Sequence, residues 1–293
     1  MRTFARLSTL LGIILAFAAH AQNSVQVELD EVVDNRISAG PMTGSLEFRV
    51  KLKGGTLDKA NAARVLVKEA RDDRGSVLSN DSKPPDFTPR DYNSGTLQFS
   101  VATPARAASS VKIKGTVELF VPTRDPNAVV TIDKAFAKLD TPLSAKALKT
   151  AKITLTPLSR AGYAELQKSR KLDDKAIEGI RAEGKKHGAS DAEINAVIEM
   201  AKAFENIDGD LPENAVILSG SAKDFDRIFR VEVLGADGKP INTSGRSVST
   251  RGESSVMTLQ PTEPPPPNAS LQIFLLTDKS RVSSPFELNV PLP

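Results

Sequence analysis

The chain has 293 residues, with 39 Lys and Arg against 36 Asp and Glu, two histidines, two tyrosines, no tryptophan and no cysteine. Without cysteine there is no disulfide, thiol nucleophile or cysteine metal site, and the near balance of charge supplies no whole-molecule field to recruit nucleic acid or anionic lipid. A chain this long holds two domains of ordinary size, each with its own core.

Arg2 and Arg6 precede the apolar run from Leu10 to Ala19, and Ala19-His20-Ala21 sets small residues at the two positions a signal peptidase reads. Residues 1–21 are therefore expected to be a signal peptide, cleaved before Gln22. The apolar run falls short of the roughly 20 residues a spanning helix needs, so an anchor is not expected. Loss of Arg2 and Arg6 takes Lys and Arg from 39 to 37 against 36 acids. Past Ala21 no segment approaches a transmembrane length. A cysteine-free exported chain of this size points to a bacterial protein of the periplasm or exterior.

Ser45 to Lys53 alternates apolar and charged residues without a fault, the period-2 signature of a strand with one wet face. Further strands are predicted at Arg64 to Ala70, Thr96 to Val101, Val111 to Val121, Val129 to Ile132 and Ile153 to Leu155. Gly115 interrupts the fourth of these, which suggests a bulge or a split. The stretches Arg71-Asp72-Asp73-Arg74-Gly75 and Lys83 to Pro89 read as turn and loop.

From Ser159 to Ile207 the period becomes helical. A short helix is expected around Tyr163 and Leu166, and a second runs from a cap at Asp173 through Ile177 and Ile180 to an end at Gly188. Ser190 and Glu193 have capping-box spacing. They open a third helix whose stripe is Ile194, Val197, Ile198, Ala201 and Phe204. Strands return at Ala215 to Leu218, Ile228 to Val233, Val256 to Leu259, Leu271 to Leu276 and Phe286 to Val290. The Pro264 to Pro267 run cannot donate to a ladder and reads as loop.

One pattern repeats. Arg64-Val65-Leu66-Val67 leads to a turn ending at Gly75, and Arg230-Val231-Glu232-Val233 to a turn ending at Gly238. This suggests a duplicated β-sandwich. The segments Lys114 to Pro122, Arg124-Asp125-Pro126 and Val216 to Gly220 resemble parts of uncharacterised exported bacterial proteins with immunoglobulin-like domains. That resemblance implies the fold and carries no activity or functional residue. The expected fold is mainly β: two immunoglobulin-like β-sandwich domains, at 22–157 and 212–293, separated by a helical linker or insertion at 158–211.

The residues restrict the chemistry. His187 is the only histidine past the signal peptide, so any Ser-His-Asp triad would have to be built on it, yet its neighbours describe a helix end. One histidine and no cysteine leave no ordinary zinc site, and no cofactor is expected. Asn206, Asp208 and Asp210 match the start of a calcium loop, but Leu211 and Ile217 stand where Gly and Glu are required. The remaining carboxylates in loops are Asp72, Asp73, Asp86 and Asp91. Sugar platforms rely on exposed Trp and Tyr, of which only Tyr92 and Tyr163 are present. The expected function is non-enzymatic binding of another protein or envelope component through loops or sheet edges, without nucleic acid. The alternative is a carbohydrate-active hydrolase or sugar-binding module, with Tyr92, Asp86 and Asp91 as the ligand-binding candidates.

Overall fold

The computed structural model describes residues 25–35, 44–79, 84–89, 95–169, 174–207 and 211–292. The signal-peptide expectation falls outside them. Fourteen strands are described, β1 (Gln26–Asn35), β2 (Ser45–Lys53), β3 (Ala62–Asp72), β4 (Thr88–Pro89), β5 (Thr96–Ala102), β6 (Ser110–Phe120), β7 (Val129–Ile132), β8 (Thr156–Leu158), β9 (Val216–Ser221), β10 (Ile228–Leu234), β11 (Thr243–Arg251), β12 (Ser254–Pro261), β13 (Ser270–Leu275) and β14 (Arg281–Pro291). The helices are α1 (Lys146–Ala151), α2 (Arg160–Ser169), α3 (Asp174–Lys186), α4 (Asp191–Ile207) and the single turn α5 (Ala222–Phe225). The chain is mainly β, in four antiparallel sheets.

These sheets belong to two compact units, one made of residues 1–128 and 276–293 and the other of 129–275. In the first unit the sheets run β1-β2-β5 and β14-β6-β3-β4. β2 shows why its sequence makes a strand. Leu46, Phe48, Val50 and Leu52 are buried while Glu47, Arg49, Lys51 and Lys53 face water. On the wet face, Arg49 pairs with Glu31 at 2.6 Å and Lys53 with Glu28 at 2.7 Å across to β1. Such exposed pairs add little stability but fix which strand lies alongside. One apolar core draws Leu46, Phe48 and Val50 from the first sheet and Val65, Ile113, Leu119, Leu288 and Val290 from the second.

The second unit has sheets β10-β13-β7 and β11-β12-β9-β8. Its core joins Leu218, Met257 and Leu259 to Val231, Val233, Leu271 and Ile273, and Leu148 of α1 is buried with them. Tyr163 of α2 covers Ile217 and Val256, which lie one step out of phase with Leu218 and Met257 and so on the opposite face of that sheet.

Several expectations change here. β7 pairs with β13, Val129 to Phe274, and β14 pairs with β6 along its whole length, Arg281 to Phe120 through Pro291 to Ser110. Each final strand thus closes the unit that does not contain the strand preceding it in the chain. The divisions expected at 157 and 212 do not coincide with the compact units, because strand partners are chosen by non-local pairing. The helices α2 to α4 connect β8 and β9, which are neighbours in one sheet; they are an insertion within the second unit.

β6 is continuous through Gly115, and the register break falls on its partner between Val67 and Glu69. The glycine serves close packing instead. A Cβ there would lie 2.6 Å from both the Leu66 carbonyl oxygen and the Phe286 ring. The strand expected at Ile153 to Leu155 lies three residues later, at β8. The repeated turn has matching geometry in both units: Leu78 N–H donates to Ala70 and Ile241 N–H to Val233, with Gly75 at φ +88° and Gly238 at φ +75°. Such φ values favour glycine.

Candidate functional site

Of the three ligand-binding candidates, Asp91 and Tyr92 lie outside the described residues. Asp86 is exposed. Its segment is held from both sides: Phe87 is buried edge-on to Phe120 at 6.5 Å, and the Arg64 guanidinium lies 4.4 Å from the Phe87 ring centre. Arg64 also meets Glu118 at 2.6 Å and donates to the Pro85 carbonyl. The sequence therefore places Asp86 on an anchored loop with its carboxylate in water. Among the described residues no group of three or more His, Asp or Glu side chains is placed to hold a metal ion.

The Asp72-Asp73 turn is a structural clasp. Asp72 is buried; one carboxylate oxygen accepts from the Arg74 and Ser76 amides at 3.0 and 2.8 Å, and the other from the Ala105 amide at 3.0 Å. Those bonds, the one from Ala105 first, hold its carboxyl below the ordinary range. Asp73 accepts from the Ser109 hydroxyl at 2.5 Å, and its carboxyl is lowered mainly by that bond. Together they tie the turn after β3 to the segment before β6. Both oxygens of Asp72 are engaged, so it is unsuited to shuttle protons.

Asp125 was not singled out by sequence reasoning beyond its place in a resembling segment. It is buried, accepts from Thr277 Oγ1 at 2.6 Å and from the Asn127 amide at 2.9 Å, and its carboxyl is lowered by the Thr277 hydroxyl first. Thr277 follows β13 and Asp125 follows β6, so the pair pins the departing and returning chain within the first unit.

Stability should follow these carboxyls. A group whose folded pKa is depressed contributes stability in full above its unfolded value, and that contribution is lost as pH falls through the folded value. Denaturation midpoints should hold steady from neutral pH down to about 5 and fall below about 4, the ordinary aspartate range. Asp72→Asn should lower the neutral-pH midpoint and flatten this acid slope. Equal slopes for Asp72→Asn and wild type in urea titrations would contradict the assignment.

His187 is exposed at the end of α3, its Nε2 3.0 Å from a Glu183 carboxylate oxygen one turn back. The Gly188 N–H donates to Lys185 and the Ala189 N–H to Gly184, closing the helix with Gly188 at φ +78°. The capping box that follows is present: the Glu193 amide donates to Ser190 Oγ at 3.3 Å, and the Ser190 amide to the Glu193 carboxylate at 2.7 Å. The Asp208-Gly209-Asp210 cluster lies outside the described residues.

A cleft of about 480 Å³ opens in the first unit between the end of β2, the 3-10 turn Gly55–Lys59 and the starts of β3 and β5. Leu52, Leu57, Ala60, Ala62 and Leu97 line it, with Lys53 and Asp58 as its charged groups. Lys53 is paired with Glu28. Among the described residues the lining offers the Thr88 and Thr96 hydroxyls but no histidine or second carboxylate to activate them. No family model matches the chain, and neither a curated protein nor a solved structure matches it.

Proposed function

We propose that this is an exported binding protein of the bacterial envelope, built from two immunoglobulin-like sandwiches and acting through sheet edges and loops on another protein or envelope component. Strand order supports the fold reading. In the second unit β8-β9-β12-β11 and β10-β13-β7 follow the four-plus-three arrangement of immunoglobulin-type sheets, with the last position filled by a strand from upstream. In the first unit β1-β2-β5 and β3-β6-β14 repeat six of those seven positions, with no counterpart of β11 and with β4 added at an edge. Six strands thus correspond one to one, which favours duplication.

One observation carries the non-enzymatic reading. The buried carboxylates Asp72 and Asp125 are committed to hydrogen bonds that hold turns and chain crossings. The single histidine after the proposed leader sits in water on a helix end. A general acid or base must have a free proton site within reach of a substrate, and Asp72 and Asp125 spend their carboxylate oxygens on their own unit. In a deletion strain, a chain carrying His187→Ala and Asp86→Asn together should restore the phenotype fully at wild-type secretion level. Loss of rescue with unchanged secretion and melting temperature would favour the hydrolase or sugar-binding alternative.

A further inference from the structure

Between β12 and β13 the chain runs from Thr262 to Ala269 through four consecutive prolines, Pro264 to Pro267. The ring of a proline locks its own φ at about −65°, and its Cδ pushes the residue before it into the extended region. Pro264, Pro265 and Pro266 are each followed by another proline, so both backbone dihedrals of all three are set by the sequence itself. Together they make one turn of a polyproline II helix, which has about three residues per turn and no internal hydrogen bonds.

Both ends of this strap are fastened. At its start the Thr262 amide donates to the Asn242 carbonyl at 2.8 Å, and the Asn214 side chain donates to the Pro261 carbonyl. At its end the Ala269 amide donates to the Pro266 carbonyl at 2.9 Å, closing a turn through Pro267 and Asn268. Ala269 is itself buried, and its carbonyl accepts from the Ala135 amide at 3.1 Å. The period of the helix decides which rings face outward. Positions i and i+3 share one edge, and Pro264 and Pro267 are exposed while Pro265 and Pro266 are half-buried. Glu263, next to the outward edge, is exposed as well.

We infer that this strap is a docking ligand, whose outward pair Pro264 and Pro267 enters an aromatic-lined groove on another protein. The inference rests on the binding reading above and names the chemistry of the partner. Grooves that recognise proline-rich segments are lined by aromatic rings and take prolines spaced i and i+3 from a preformed polyproline II helix, which is the pair this strap holds in water. The ordering cost of such a ligand is met in advance, because its dihedrals and both its ends are already fixed. Glu263 sets a negative charge at the start of the run and fits a Lys or Arg on the groove's rim. The partner is a different protein and not a second copy. This chain has no tryptophan, and among the described residues none of its phenylalanines or tyrosines is exposed, so the described surface offers no such groove.

The test is photo-crosslinking of the full chain, carrying p-benzoylphenylalanine in place of the exposed Thr262, in the envelope fraction of the cells that produce it. The expected result is one discrete adduct, with the crosslink in a partner segment that contains Trp or Tyr. A synthetic peptide of the sequence from Thr262 to Ala269, added in excess, should lower the adduct yield by about tenfold or more, as loss of an anchoring contact does. The same peptide with both Pro264→Ser and Pro267→Ser should not compete. In the full chain, Pro264→Ser with Pro267→Ser should remove the adduct at unchanged melting temperature. Pro265→Ala, which takes a ring from the same run but not from its outward edge, should keep it. Absence of an adduct overturns the inference, as does an adduct that survives the peptide or the double variant, is lost with Pro265→Ala, or maps to a partner segment without Trp or Tyr. Because this reads one contact alone, its failure leaves the binding reading to be judged separately by complementation.

Discussion

A fragment of residues 22–157 should fail to melt cooperatively, although periodicity marks that boundary as the end of a domain. It lacks β14, which pairs with β6 over its full length and supplies Leu288 and Val290 to the core, with Val282 and Phe286 packed beside them. Burial of such side chains is worth about 1.5–3 kcal/mol each. Four of them removed together approach the whole stability of an ordinary domain, about 5–15 kcal/mol. Residues 212–293 should fail as well, for want of β7, β8 and the buried Leu148 and Leu155. Residues 129–275, by contrast, retain every pairing of the second unit. The first unit should fold when Ala128 is joined to Leu276 by a short linker, since Val129 and Phe274 are paired and bring the junctions together. Circular dichroism melts decide it: cooperative melting of 22–157 would contradict the exchange of final strands.

Phe48→Ala should be the most damaging single change in the first unit. The side chain is 1% exposed and stacks on Phe99 at 5.1 Å with the rings 15° apart. Removing a buried phenylalanine costs about 3–5 kcal/mol, because the lost transfer energy is joined by the cavity left behind. The stacked pair adds about 0.5–1.5 kcal/mol beyond area. Phe48→Leu keeps most of the volume and should cost much less. Urea denaturation of both variants measures the difference; a loss below about 1 kcal/mol for Phe48→Ala would show that β2 does not anchor this core.

Local signals in the sequence were read where one face or one cap decides the structure. β2 has unbroken alternation, β7 is an apolar run between turn residues, and Ser190 with Glu193 makes a complete capping box. Signals failed where structure depends on something distant. β1 was not foreseen, because its four acids and its register break at Leu29 disturb the period, and its place is set by Arg49, Lys51 and Lys53 of β2. β11 was not foreseen because Val248 is its only apolar residue and lies at an exposed edge. Gly115 reads as a strand breaker, yet its reason is the Phe286 ring, which is 171 positions away in the chain. The unit boundaries failed for the same cause, since nothing local to Phe286 through Val290 reveals that β6 is their partner.

The candidate site was less legible than the fold. Loop carboxylates attract attention through polarity, but Asp72, Asp73 and Asp125 spend it on amides and hydroxyls of their own unit.

Complementation of a deletion strain by the His187→Ala, Asp86→Asn chain tests the central claim that this protein works by binding and not by catalysis. That chain, secreted and folded to the wild-type level, should rescue fully. Loss of rescue at unchanged secretion level and melting temperature would contradict the account.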